Sequence, residues 1–329
     1  GFAATNSVIK DGRLLGIITG DLGVSKNGSK TENYQSGIEI RGKFTLFAEG
    51  CRGHIGKQLI ENFDLRKEAQ HQTYGIGLKE LWEIKEDLSN PGEVMHTIGW
   101  PLDNETYGGS FLYHLDKNLV SFGFVIGLDY KNPHLSPYEE FQRFKLHPKI
   151  KHIFDGGRRI SYGARALNEG GFQSLPKLSF PGGAILGCDA GTLNTPKIKG
   201  THTAMKSGMI ASDLVFKELV SDSRNDEISN FSKSFLNSWA GQELKNARNV
   251  RPSFNFGLKI GMIFYVFPGL IEPENPRIYI TFCDQSAAFF ESGLLRWSAP
   301  GQGGQQKSCR PRMTVPTRWF LSGSHLCWW

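Results

Sequence analysis

Cysteine and methionine are scarce, five of each in 329 residues. Cys51, Cys188, Cys283, Cys309 and Cys327 never stand in a C-x-x-C spacing. No zinc or iron–sulfur ligand set is therefore visible, and a secreted disulfide framework has no support. Charge of one sign is lacking too. The balance of 38 basic and 32 acidic side chains leaves +6, too little and too scattered to argue for nucleic acid. No internal repeat appears. The chain opens Gly1-Phe2-Ala3-Ala4, without an initiating Met, a charged presequence or a signal h-region; it reads as a fragment.

Glycine is what the sequence has in excess, 39 of 329, roughly 12% against a usual ~7%. Tight turns and close backbone approaches should be common. With 39% apolar and 21% charged residues the composition is globular, which excludes wholesale disorder and collagen-like repeats.

Residues 7–47 read as β-structure. Ser7 to Lys10, Leu15 to Thr19 and Gly37 to Ile40 are β-rich, with a hairpin turn at Lys10-Asp11-Gly12-Arg13. Lys43 to Ala48 is nearly continuous apolar sequence, the pattern of a parallel strand buried on both faces. Ile55 to Phe63 reads as a helix. His96 to Trp100, Gly109 to His114 and Leu119 to Ile126 should form an antiparallel sheet, followed by a helix over Pro137 to Leu146. A second apolar strand, Ala184 to Gly187, leads into a glycine-containing loop and a helix from about Gly200 to Leu219. Glu227 to Asn249 is expected to be helical, with Phe231, Phe235, Leu236 and Trp239 on one face.

Two strand–turn–helix sites share one logic. In each, a buried strand delivers glycines to a turn, and the next helix points its first N–H groups toward whatever binds there. The first is Phe47-Ala48-Glu49-Gly50-Cys51-Arg52-Gly53, equally readable as an ordinary βα turn. The second is Gly187-Cys188-Asp189-Ala190-Gly191-Thr192-Leu193-Asn194, followed by the helix opened by Gly200 and Thr201. Ala204, Ser207, Gly208 and Ala211 make a small-residue stripe that lets this helix press onto a sheet or a flat ligand. No general acid or base stands out; His54, His96, His114 and His202 read as structural or surface residues. Ser253 to Leu270 is apolar and aromatic, interrupted by Lys259, Pro268 and glycines. It reads as an interfacial segment or a buried helix rather than a membrane span. Residues 271–329 lack hydrophobic periodicity and read as an atypical tail, out of frame or disordered.

Several longer runs carry a resemblance. Phe47 to Gly50 and Gly187 to Gly208 resemble the later flavin-binding motifs of FAD-dependent two-dinucleotide-fold oxidoreductases. Gln72 to Trp82 (QTYGIGLKELW), Gly99 to Asp103 (GWPLD), Thr106 to Leu115 (TYGGSFLYHL), Tyr162 to Ser174 (YGARALNEGGFQS) and Pro196 to Gly208 (PKIKGTHTAMKSG) are similar to the electron-transfer-flavoprotein:ubiquinone oxidoreductase family. The resemblance covers roughly residues 1–252.

It implies a mixed α/β (α+β) flavoprotein of the glutathione-reductase-like, two-dinucleotide-fold kind. An incomplete Rossmann-like FAD domain (1–72, continued at 176–220) would carry an inserted antiparallel-sheet ubiquinone-binding domain (73–175). A helical, membrane-surface segment (221–270) and the tail (271–329) would follow. The family is an electron-transferring-flavoprotein dehydrogenase, peripheral on the matrix side of the mitochondrial inner membrane. It accepts electrons from reduced electron-transfer flavoprotein through FAD and a [4Fe–4S] cluster and passes them to ubiquinone. Carried onto this chain, Gly50 and Cys51 would lie along the dinucleotide, and Gly187, Asp189, Ala190 and Gly191 near the ribityl and pyrophosphate. Gly200 and Thr201 would face the pyrimidine end of the flavin. Tyr107, Gly108, Gly109 and Phe111 would contact the quinone.

Three departures bear on activity. The G-x-G-x-x-G turn is absent, the grouped cluster cysteines are absent, and Asp189 stands one position later than in the wider Gly-Asp motif. Another FAD-dependent oxidoreductase of the geranylgeranyl-reductase kind, or a non-catalytic truncated remnant, are the alternative readings.

Overall fold

Asp11 and Gly12 turn the chain at φ 50° and 74°, where a two-residue hairpin needs left-handed backbone. They join β1 (Ala4–Lys10) to β2 (Arg13–Thr19), paired antiparallel with Lys10 opposite Arg13. The computed structural model describes residues 2–221 and 225–263, together with the backbone of residues 278–282 and 287–292. A small ribbon follows, β3 (Leu22–Val24) with β4 (Lys30–Gln35), and then β5 (Glu39–Arg41), which completes the first sheet beside β2.

The next strand, β6 (Thr45–Phe47), runs into the glycine turn and α1 (His54–Asn62). The chain then leaves for a large antiparallel sheet. It begins with β7 (Tyr74–Glu83), β8 (Val94–Gly99), β9 (Gly108–His114) and β10 (Leu119–Gly127). Two helices, α2 (Pro137–Lys145) and α3 (Pro148–Phe154), lead to β11 (Arg158–Asn168). The Ser136 side chain caps α2 by accepting from the Glu139 N–H, and proline occupies the first turn of both helices, where no N–H is needed.

The chain then returns to β6. Strand β12 (Ser179–Phe180) pairs with β13 (Gly183–Ile185), which lies parallel to β6 with Ile185 opposite Phe47. A single helical turn, α4 (Gly187–Ala190), and the long α5 (Thr201–Val220) follow. The expected helix over Glu227 to Asn249 is two, α6 (Phe231–Asn237) and α7 (Trp239–Asn246). The chain breaks at Ser238, whose hydroxyl accepts from the Gly241 N–H to start α7. Phe231 and Phe235 are buried, whereas Trp239 lies on the far side of the break, 52% exposed. A short α8 (Val250–Ser253) precedes a helical stretch at 258–263. Beyond it, β14 (Ile278–Phe282) and β15 (Ala287–Ser292) extend the large sheet next to β8; the rest of 271–329 lies outside the described residues.

Lys43 to Ala48 departs from expectation on one face. The strand is parallel, but Leu46 is 40% exposed. The sheet it joins has three strands, β12-β13-β6, and its apolar packing gathers on the Phe47 side with Phe180, Ile185 and Leu59.

The large sheet, in order β11-β7-β10-β9-β8-β15-β14, has two unlike faces. Strands alternate their side chains, so Phe122, Phe124, Ile126 and Leu112 point one way, onto Phe141 and Phe144 of α2 and Ile150 and Ile153 of α3. Phe122 is the centre of this layer, with ring centroids 5.0–5.7 Å from Phe141, Phe144 and Phe154. The other face carries Gly77, Lys79, Gly109, Phe111, Tyr113, Gly123, Gly163 and Arg165, which the strand registers place side by side.

An ionic node joins the end of this sheet to α8. The Arg251 guanidinium donates to Asp129 (2.7 Å), lies 3.8 Å from Glu169, and stands over the Tyr107 ring. Burial pushes the Glu169 carboxyl up to about 7 and Asp129 adds repulsion, against the pull of Arg251. The folded pKa is thus above the unfolded one. The stability this group contributes is full below the ordinary carboxylate pKa and is lost as pH rises through about 7.

Two outcomes are expected. Phe122→Ala should destabilise the protein by about 3–5 kcal/mol in urea denaturation, as expected for a buried phenylalanine left as a cavity; a change within error of zero would contradict the core placement. As pH rises from 5 to 7.5, the stability of wild type relative to Glu169→Gln should fall, by at most about 3 kcal/mol. An identical slope in the variant would remove Glu169 from the account.

Candidate functional site

Because β6 and β13 run parallel, the turns that follow them leave from the same edge of one sheet. The Leu186 N–H donates to the Phe47 carbonyl (2.8 Å), holding the two chains together up to the turns. Gly50 then takes φ 93° and Gly187 φ 57°, left-handed backbone that disfavours any side chain. Between them opens a cleft of about 340 Å³ lined by Ala48, Gly50, Leu186, Gly187, Cys188, Ala204 and Gly208. The two sequence-identified turns, 137 residues apart, thus form one site. It falls where open α/β sheets bind ligands, beyond the carboxyl ends of parallel strands.

Helix α5 supplies the cleft's far wall. The Gly187 N–H donates to the Ser207 hydroxyl (3.0 Å), pinning the turn to the small-residue stripe. A Cβ on Gly187 would stand 3.0 Å from that of Ala204, and one on Gly208 would meet nothing within 4 Å. The stripe therefore has two uses. Ser207 and Ala211 are buried, while Ala204 and Gly208 keep the cleft clear.

Asp189 does not line the cleft. Its carboxylate accepts from the Glu49 N–H (3.4 Å) and lies against Gly53 and Gly56 at the start of α1; burial pushes it up to about 6. Gly56 N–H in turn donates to Glu49 (2.7 Å). Ala190 is fully buried, Gly191 backs onto Gln72, and Gly200 packs against Leu193 with Cys188 Sγ beside it. Thr201 is exposed at the first turn of α5. Cys51 stands just outside the cleft lining, its carbonyl accepting from Asn168 (3.0 Å). Burial pushes both the Cys51 and Cys188 thiols up.

Of the other candidates, Gly109 and Phe111 lie on the glycine-bearing face of the large sheet, whereas Gly108, paired with Ile126, faces the helix side. Gly109 sits between Val125 and Ile98, and a Cβ there would strike the Thr97 carbonyl; one on Gly108 would strike Leu102. Close strand packing is a sufficient reason for both glycines. Phe111 covers Gly123 and stacks on Tyr113 (5.0 Å). Tyr107 stands apart from Phe111, against Phe254 (4.8 Å) and beside Ile98, Val250, Leu258 and Met262.

Two polar groups at this face, Lys199 and Tyr113, escaped the sequence reading, and both meet His96, which it took as structural or surface. Lys199, next to Gly200, donates to the Tyr113 hydroxyl (2.8 Å), and that hydroxyl lies 3.3 Å from His96 Nε2. Burial, with Lys79 nearby, pulls Lys199 down to about 8; burial and Lys199 pull His96 down to about 4; burial pushes Tyr113 up to about 12. At neutral pH His96 is an uncharged acceptor at the end of a chain fed by an ammonium. The signal available in sequence was only the alternation of Phe111 and Tyr113. The other histidines fit their structural reading, His202 on Glu243 (2.7 Å) and His114 accepting from the Asn90 N–H (3.2 Å).

Residues 74–167, the large sheet with its two helices, match the family model described as ETF-QO, ubiquinone-binding. The chain is 51% identical over 285 residues to the mitochondrial electron transfer flavoprotein-ubiquinone oxidoreductase of Sus scrofa, covering 82% of this chain and 46% of that protein. A solved structure from Thermoplasma acidophilum, described as geranylgeranyl bacteriochlorophyll reductase-like, is similar with TM-score 0.55 at 12% identity, covering 77% of this chain and 57% of the other. The flavoprotein/dehydrogenase of Cytophaga hutchinsonii is similar with TM-score 0.50 at 16% identity, covering 82% and 58%. These two likenesses show a shared fold. The chain spans about half the length of the curated relatives it matches. Over the part those relatives share with it, the chain belongs to the electron transfer flavoprotein-ubiquinone oxidoreductase family.

Proposed function

We propose that the cleft between the Gly50 and Gly187 turns holds FAD, and that the glycine-bearing sheet face with Tyr107 holds ubiquinone. The whole protein would accept electrons from reduced electron-transfer flavoprotein and deliver them to ubiquinone on the matrix side of the mitochondrial inner membrane. The observation that carries this reading is the convergence of two distant glycine turns on one cleft beside the sheet of residues 74–167. The architecture corresponds on this reading to a Rossmann-like FAD domain, built from 1–72 and 176–220, with the antiparallel sheet inserted.

The residues fit a dinucleotide. Gly50 and Gly187 offer backbone where a Cβ would intrude, and Ala204 and Gly208 leave a flat wall. FAD, when bound, supplies the redox chemistry. The protein's part is position and electrostatics. The α5 N-terminus, begun at Gly200 and Thr201, favours negative charge there. Lys199 adds a partly buried cation, and the Tyr113–His96 pair beside it can hold a proton near Phe111. Ubiquinone would lie against apolar walls from Tyr107, Phe111 and Ile98.

The [4Fe–4S] cluster that the resemblance implies does not fit the described residues. Among them no group of three or more His, Cys, Asp or Glu side chains is placed to hold a metal. Cys283, Cys309 and Cys327 lie outside them.

The 253–263 segment supports a membrane-surface role. Phe254 and Met262 are buried beside Tyr107, while Phe256, Ile260 and Ile263 are 72%, 43% and 55% exposed. No helix of the described residues is long and apolar enough to cross a membrane. An amphipathic segment of this kind lies in the interface and brings the quinone residues to the lipid. Residues 264–270 of the expected segment lie outside the described residues.

Gly208→Leu separates binding from folding. The new side chain meets no protein atom at its Cβ and replaces a poor helix former, so thermal stability should hold or rise by up to about 1 kcal/mol. Flavin affinity, read by fluorescence titration with FAD, should fall at least about tenfold because the side chain enters the cleft; undiminished affinity would sink the flavin reading. Replacing Phe256, Ile260 and Ile263 together by serine should cut flotation with phosphatidylcholine–cardiolipin vesicles about tenfold or more. Equal flotation of the triple variant would count against the membrane assignment.

A further inference from the structure

Arg165 projects from the large sheet toward the cleft of the other unit. It belongs to β11, opposite Gly77 of β7, and its Nη2 stands 3.3 Å from where a Gly50 Cβ would be, the sole atom from outside residues 49–51 within 4 Å of that point. The bare Gly50 backbone is what lets the guanidinium come down over the turn. The group is close enough to Cys51 and Cys188 to pull both thiols down against their burial. Both turns of the cleft therefore feel this one charge.

Arg165 is also uncommitted. Among the described residues it makes no hydrogen bond or ion pair. Arg158 and Arg159 of the same strand are paired with Glu83 and Glu80, and Arg251 with Asp129. The carboxylates nearest the cleft are engaged elsewhere. Asp189 is turned to the Glu49 N–H in the turn after β6, and Glu49 to the Gly56 N–H in the first turn of α1. Arg52, the next cation along, lies over the Tyr74 ring at 5.4 Å.

A planar guanidinium, free of partners and set beside bare glycine backbone, suits the two-oxygen edge of a phosphate. The location narrows the choice further. Phosphates bind in open α/β folds at the turns that leave the carboxyl ends of the strands, and Gly50 and Gly187 are those turns here. We infer that Arg165 binds the pyrophosphate of the dinucleotide, gripping from the antiparallel sheet an anion that the two glycine turns cradle from the other side. This rests on the reading of the cleft as a flavin site. It gives the sheet a part in cofactor retention as well as in quinone binding. Occupancy of the cleft then ties the two units together through one charge.

The test titrates the full chain with FAD, ADP and riboflavin, following tryptophan quenching. Arg165→Gln should weaken FAD and ADP by about tenfold to a hundredfold, the range for a lost charge-assisted hydrogen bond. It should leave riboflavin, which lacks the pyrophosphate, unchanged. Arg165→Lys should fall between, because it keeps the charge and loses the fork. Arg52→Gln removes a neighbouring charge that faces Tyr74 and should stay within about twofold of wild type, as expected of an exposed charge outside the contact. Thermal transitions of all three variants show whether they fold. Unchanged FAD and ADP affinity in a folded Arg165→Gln overturns the assignment, as does an equal loss for riboflavin or an equal effect of Arg52→Gln. Failure of wild type to bind FAD, ADP and riboflavin alike overturns the flavin reading beneath it and the Arg165 assignment together.

Discussion

Everything at the cleft depends on the short parallel register between β6 and β13. Three residue pairs, from Thr45 opposite Gly183 to Phe47 opposite Ile185, bring two segments 138 positions apart to one edge. Parallel pairing is slower to form and slightly weaker per residue than antiparallel pairing, so these three residues need outside support. They have it in Phe47, Phe180, Ile185 and Leu59, which fill one side of the sheet. The Leu186-to-Phe47 hydrogen bond carries the pairing to the point where both chains turn. A one-residue slip would exchange buried and exposed faces, turning Phe47 out and Leu46 in. It would also separate Gly50 from Gly187.

The second unit meets this edge with a face from which side chains have been removed. Gly77, Gly109, Gly123 and Gly163 leave the sheet surface low, and Phe111 folds over Gly123 in the space provided. What rises from that surface is cationic or neutral: Lys79, Arg165, Tyr113 and His96, with Lys199 reaching in from the α5 side. The carboxylates are elsewhere. Glu80 lies on the opposite face with Lys145 and Arg159, and Glu169 lies at the Arg251 node. This segregation gives the space between the units a positive bias without a strongly basic chain, which is why the net charge of +6 carried so little information about it. A low dielectric strengthens such a bias, and the depressed Lys199 and His96 titrations are its other consequence.

Elements set by local pattern were legible in the sequence. The Asp11-Gly12 hairpin, the antiparallel strands from His96 to Ile126 and the two strand–turn–helix sites all follow from residue type and period. The break at Ser238 was not, because a serine inside a helical period signals a cap only once the chain around it is seen to turn. The exposed Leu46 was missed for a different reason, since burial of a strand's second face is decided by what packs there and not by the strand. Arg165 could not have been found at all. One arginine among the alternating residues of Arg158 to Asn168 has no distinctive local signal. Its meaning comes from a contact with Gly50, set by the register of one sheet against the turns of another.

Tyr107 leads from the large sheet to the exposed apolar segment. Tyr107 turns to Phe254, with Arg251 across its ring. Phe254 is buried and Phe256 is exposed, two residues apart at the start of the segment. Phe254 packs on Tyr107, and Arg251 joins the Tyr107 ring to Asp129 and Glu169 near the ends of β10 and β11. Those strand ends also carry Asn168, whose side chain holds the Cys51 carbonyl beside the cleft. The path from the apolar surface to the cleft is thus made of packed rings, one guanidinium and one amide.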